Sequence, residues 1–207
     1  MTTNDWYRNK HWNKRIEEAF FAKLNHARRK EQYLRIQAST LSSTHPEVAL
    51  KLLSHYFELG DDFDHAQAHL DQAAAYLTLG KVEEAVASYE SALAREEEFP
   101  KSLTQAYLDF PLLVATKGLT NFYLRSLYIL DKFRQRPTFP DERFKWFAAK
   151  ALILSSQGDI VNAKSYASEA LAEADKRQSG FRYHQQVGLV SPKFEDLKSQ
   201  LQNLRTA

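Results

Sequence analysis

The sequence predicts an all-α chain built of antiparallel helix pairs that stack on one another. Three observations carry that prediction. First, Trp12, Ile16, Phe20, Leu24, Ala27, Leu34, Ala38 and Leu41 recur with the α-helical period of about 3.6 residues. Second, 6 Gly and 6 Pro are spread over 207 residues, too little turn material for a β fold. Third, residues 66–99, AQAHLDQAAAYLTLGKVEEAVASYESALAREEEF, place small residues where two helices cross. Ala73 and Tyr76 sit on the first of them, Gly80 in the turn, and Ala85, Tyr89 and Ala92 on the second. Such a hairpin cannot bury its apolar face alone, so it must stack on others like it.

That spacing resembles a tetratricopeptide repeat, a helical pair with a period of about 34 residues. Ala73, Tyr76, Gly80, Ala85, Tyr89 and Ala92 match the repeat in register. His69 and Gln72 stand where the family usually has Trp and Leu, and the closing proline comes late, as Pro100. Residues 144–177 follow the same code through Phe147, Ala151, Leu154, Gly158, Ala163 and Ala170. Residues 30–63 follow it through Tyr33, Ile36, Ala49 and Leu53. Residues 101–136 read as a further helical pair, joined near Gly118, that has mostly lost the code. The resemblance implies a right-handed α-solenoid of about four helical pairs over residues 30–177, within one domain spanning 1–207. A generic helical bundle with hairpin spacing is the bland alternative.

The elements follow in order. The first stripe is uninterrupted by Gly or Pro, so residues 10–43 read as one long N-terminal helix, started by Asn9 or Asp5. Pro46 opens a helix running to about Leu59, which Gly60 ends. Gly60-Asp61-Asp62-Phe63-Asp64 reads as a turn, with Asp64 as the next N-cap. Pro111 should kink its helix, or split it so that a new one starts near Asp109. Residues 136–141, RPTFPD, form a loop. Ser179-Gly180 ends the last repeat, and residues 181–190 read as an extended segment laid back on the helices. Ser191-Pro192 then caps a final helix whose stripe is Phe194, Leu197, Leu201 and Leu204, the natural C-terminal cap of a stack.

Composition excludes several classes. With 43% apolar and 13% aromatic residues the chain can build a core and is not disordered. The absence of cysteine removes disulfides, thiolate nucleophiles and Cys-based metal sites. No apolar run is long enough for a membrane span, and MTTNDWYRNKHWNKR has no apolar core of a secretory signal. A cytoplasmic location and no membrane partner are therefore expected. The formal charge of +2 conceals a strong asymmetry. Residues 1–40 hold 9 Lys/Arg against 4 Asp/Glu, residues 41–100 hold 3 against 12, and residues 101–150 hold 9 against 4. An acidic belt thus lies between two basic segments. Glu83, Glu84, Glu90 and Glu96–Glu98 read as solvated helix faces, or as a surface that steers a charged partner. A nucleic-acid binder needs a continuous basic track, which the acidic middle interrupts.

No catalytic motif is present, and the chain is not expected to be an enzyme or to hold a cofactor or metal. His65 and His69 have metal-ligand spacing on a helix, with Asp61, Asp62 and Asp64 upstream. His69, however, occupies a packing position of the repeat. The six glycines stand alone and make no phosphate loop.

In the family resembled, the first helix of each pair lines a concave face. Carried onto this chain, that face holds Glu31, Arg35, Ser42, Gln67, Asp71, Thr78, Gln105, Asp109, Thr116, Lys145, Ser155 and Ser156, beside Leu34, Leu70, Leu77, Leu112 and Leu152. Arg35, Gln67, Asp71, Thr78, Asp109, Lys145 and Ser156 are the expected partner-binding residues. The Lys/Asn set with which some members clamp a peptide C-terminus is replaced here by Leu34, Leu70 and Ala74. The resemblance implies a protein-interaction module or adaptor that binds a peptide or protein in this groove, as a monomer or weak homodimer. The alternative is an inhibitor of the immunity-protein or antitoxin type, and a nucleic-acid-binding helical repeat ranks below both. Arg35 and Asp71, taken as exposed, should be replaceable without loss of fold.

Overall fold

The computed structural model describes residues 5–60 and 63–206. Among these the chain is all-helical, with ten α-helices and no strand. It divides into two compact units, residues 1–106 and 107–207. Each holds a cluster of buried apolar side chains.

In the first unit α1 (Lys14–Asn25) and α2 (Lys30–Leu41) replace the single long helix expected over 10–43. The helix stops at His26, and the Ala27 N–H turns back to the Leu24 carbonyl at 3.0 Å. Burial explains the break. In one straight helix Phe20 and Leu34 would lie about 21 Å apart. The turn instead puts both in one core cluster with Leu24, Ala38, Leu53 and Tyr56. Trp6 bridges the two helices, its ring 5.4 Å from Phe20 and 4.9 Å from Tyr33. Neither Asn9 nor Asp5 caps α1. Asn13 does, its Oδ1 accepting the Ile16 N–H at 3.0 Å, while Asn9 is engaged with the buried Gln37 side chain.

The next helices stand as expected. They are α3 (Pro46–Glu58), α4 (His65–Thr78) and α5 (Val82–Glu98). Gly80 takes φ +73° in the α4–α5 turn, a conformation that favours glycine. Asp64 holds the N-cap position of α4, as expected, but its side chain makes no capping hydrogen bond, and Asp61 and Asp62 lie outside the described residues. Ala73, Ala85 and Ala92 are fully buried where α4 and α5 cross, with Tyr89 beside them. Ala85 has 0% exposure, so a larger side chain has nowhere to go. Ala85→Leu should cost about 1–3 kcal/mol by overpacking that crossing. Urea unfolding reads this as a lowered midpoint, and an unchanged midpoint would refute the packing.

In the second unit α6 (Ala106–Lys117) runs through Pro111 without splitting near Asp109. A 3-10 turn then leads into α7 (Tyr123–Lys132), followed by α8 (Pro140–Ser156) and α9 (Ile160–Ala174). Ala151, Ala163 and Ala170 are fully buried, like their counterparts in the first unit. Residues 181–190 are a series of turns, not the extended segment expected. The last helix, α10 (Glu195–Thr206), follows a short 3-10 turn begun by Ser191. It buries Leu197 and Leu201 in the α8–α9 core, with Phe194 and Leu204 packed alongside. Among the described residues no helix is long and apolar enough to cross a membrane.

Candidate functional site

In the first unit the structure brings Arg35, Gln67 and Asp71 together. Arg35 lies on α2, and Gln67 and Asp71 one turn apart on α4. The Arg35 guanidinium reaches Asp71 Oδ2 at 3.3 Å, and its Nε reaches Asp64 Oδ2 at 3.3 Å. Gln67 Nε2 donates to Asp71 Oδ1 at 3.2 Å. Asp71 is 7% exposed, not the solvated groove residue expected. Burial pushes its pKa above the usual carboxylate value, against the pull of Arg35 and of the bond from Gln67. Thr78, further along α4, is exposed and bonds its own helix at the Ala74 carbonyl.

The second unit carries a matching arrangement. Lys145 on α8 donates to Asp109 on α6 at 2.8 Å. In both units the paired residues are 36 apart in sequence. The signs are exchanged: cation first in one pair, carboxylate first in the other. Nearby Asp141 has a raised pKa, caused first by burial and opposed by Lys145. Ser156 accepts a bond from the Tyr123 hydroxyl at 3.2 Å. The groups expected to greet a ligand are therefore largely engaged with one another, and Leu34 and Leu152 are core residues. On the first-unit face Ser39, Ala74 and Thr78 remain exposed, beside half-buried Leu70 and Leu77. That surface has small hydroxyls and apolar area.

The histidines are engaged elsewhere. His69 stacks on Phe57 with ring centres 4.7 Å apart and meets Gln72 at 3.3 Å. Burial lowers its pKa, opposed by the Gln72 bond and aided by His65 and Arg95. The His65 ring bonds the Gly60 carbonyl at 2.9 Å. Among the described residues no three His, Cys, Asp or Glu side chains are grouped to hold a metal ion.

Several organising residues escape sequence reading. Glu96, expected on the solvated belt, is 5% exposed and holds the Thr104 N–H at 2.7 Å and hydroxyl at 2.5 Å. Glu83, Glu84, Glu97 and Glu98 are exposed, as expected. Lys150 interrupts an otherwise apolar stretch of α8. It pairs with Asp131 at 2.6 Å and lies over the Trp146 and Tyr166 rings. The only signal for it in sequence was a lysine interrupting an apolar stripe. Compared with protein-family models, curated proteins and solved structures, the chain matches none.

Proposed function

We propose that this chain is a tetratricopeptide-like interaction protein whose first-helix faces receive a peptide or protein segment. The observation that carries the reading is the pair of cross-helix ion pairs, Arg35–Asp71 and Asp109–Lys145, with the same spacing of 36 residues. A repeated contact between first helices is what stacked helical pairs produce. Each pair ties its two helices together. The small exposed side chains beside half-buried leucines then supply the apolar area and few polar groups that suit a peptide groove.

The test is Ala74→Glu/Thr78→Glu, two exposed changes on α4 that should leave folding intact within about 0.5 kcal/mol each. Proteins retained by the wild type from a cell extract are purified and titrated against this variant. Affinity should fall about 10-fold or more if the face is the binding surface. Undiminished affinity would refute the groove. A second reading, an inhibitor covering a basic active site, is favoured by the exposed carboxylates of α5. It predicts that Glu83→Lys/Glu84→Lys abolishes binding while the α4 variant does not.

A further inference from the structure

We propose that α1 and its two flanks form a basic surface that binds the phosphate backbone of duplex nucleic acid. The surface lies wholly in the first unit and is separate from the α4 face. Residues 5–31 hold eight Lys/Arg against four carboxylates. Arg8 and Lys10 precede α1, and Lys14 and Arg15 stand at its start. Lys23 is in its last turn, and Arg28, Arg29 and Lys30 follow it. All but the half-buried Lys30 are exposed. Among the described residues none of the eight is ion-paired with a carboxylate, whereas Arg35, Lys145 and Lys150 are. Their positive field is therefore left to act outward.

The backbone holds these cations in fixed places. Arg8 and Lys10 flank Asn9, which three hydrogen bonds tie to the fully buried Gln37. Arg28 and Arg29 follow the turn closed by the Ala27 N–H on the Leu24 carbonyl. Between them, helical spacing puts Arg15, Ala19, Ala22, Lys23 and His26 on one face of α1, all five exposed. That face carries no carboxylate; Glu18 stands at its edge and Glu17 beyond it. The two alanines leave room for a bulky polyanion to come close. With 12 residues α1 is about 18 Å long, so the cations line a path and not a point. A duplex offers such a path one negative charge about every 1.7 Å. The acidic run that interrupts a basic track in sequence belongs to α5, which packs on α4, whereas α1 packs on α2.

The rest of the surface selects among anionic partners. From residue 5 to 58 the large apolar side chains are all buried or half-buried. The rings there are turned on one another: Trp6 lies against Phe20 and Tyr33, and Tyr7 against Tyr33 at 4.6 Å. An acidic protein would be anchored by exposed aromatic or apolar groups. A bilayer would take such groups into its interface, and a single strand would stack its bases on exposed rings. A duplex needs only cations set against phosphates, which is what this surface supplies.

The experiment titrates a labelled DNA duplex of random sequence, about 20 base pairs long, with the whole protein by fluorescence anisotropy at about 50 and 150 mM salt. Affinity should fall steeply with salt, the logarithmic slope being about −0.9 for each phosphate engaged. Arg28→Ala/Arg29→Ala should weaken low-salt binding about 10-fold or more and flatten the slope by about 2. Arg15→Ala/Lys23→Ala should do the same. Both variants change only exposed side chains, so their unfolding midpoints should match the wild type. Lys117→Ala/Arg134→Ala removes two exposed cations of the second unit and should alter neither affinity nor slope. The proposal is overturned if no duplex binds at the lower salt, or if both α1-side variants keep the wild-type affinity and slope. It is overturned equally if the second-unit variant loses as much as they do. Vesicles of phosphatidylcholine and phosphatidylserine, or a single strand of the same length, might compete for the same arginines; either one binding through them more tightly than the duplex overturns the assignment as well.

Discussion

Arg35→Ala is expected to destabilise the first unit by about 3 kcal/mol, because it strands a buried carboxylate. Asp71 is almost inaccessible, and Arg35 is the one cation bonded to it. Gln67 remains as a hydrogen-bond partner but supplies no charge. Asp71→Ala should cost less, since Arg35 keeps Asp64 as a partner. The double variant should fall well short of the two single losses added, with a coupling energy of about 1–3 kcal/mol. Hydrogen exchange at the amides of α2 and α4, which reports the first unit alone, measures all three. Additive losses would mean that the pair does not act as one unit.

The pH dependence has a definite sign. The folded pKa of Asp71 is raised above its ordinary value, so the folded state holds this proton more tightly than the unfolded chain. Its stabilising contribution is fully present below the ordinary carboxylate pKa and is lost as pH rises through the folded value. Removing Arg35 takes away a charge that lowers that pKa, so the loss extends to higher pH. The deficit of Arg35→Ala should therefore be largest near neutrality and shrink on acidification.

The second large effect is expected at Glu96. Its carboxylate is buried near the end of α5 and satisfies both polar hydrogens of Thr104. The Thr104 hydroxyl in turn accepts the Ala106 N–H at 3.1 Å. Glu96→Ala removes the acceptor that both of these donors share and should cost about 3 kcal/mol. Glu96→Gln keeps an acceptor in place and should cost about half as much. Urea unfolding should rank the three proteins in that order. A Glu96→Ala variant as stable as the neighbouring Glu97→Ala would show that the carboxylate does not hold the 99–104 connection.

The readings that held were those written in local spacing. Ala73, Ala85 and Ala92, and again Ala151, Ala163 and Ala170, were legible because a close helix crossing admits only small side chains. Gly80 and Pro46 were legible because each meets a backbone requirement at a helix end. The long N-terminal helix failed because an apolar stripe has the same period whether its helix runs straight or turns back between Asn25 and Lys30. No Gly or Pro marks that turn. The gain is tertiary: Phe20 and Leu24 join the cluster of Leu34 and Ala38.

The site divides along the same line. Repeat spacing placed Arg35 and Asp71, and Asp109 and Lys145, on first helices, and the structure joins each of these as a pair. It did not reveal that Asp71 is buried or that Glu96 leaves the acidic belt for the interior. A carboxylate in a charged run looks the same in sequence whether it faces water or a threonine eight residues away. The close approach of Gly188 to the Phe139 side chain was equally invisible, since Phe139 lies 49 residues earlier in the chain. By itself the sequence determined the helical class, the hairpin turns and the small-residue crossings, because these depend on neighbours within a turn or two of helix. Only the tertiary structure decided which charges are buried and paired, because those depend on groups that folding alone brings together.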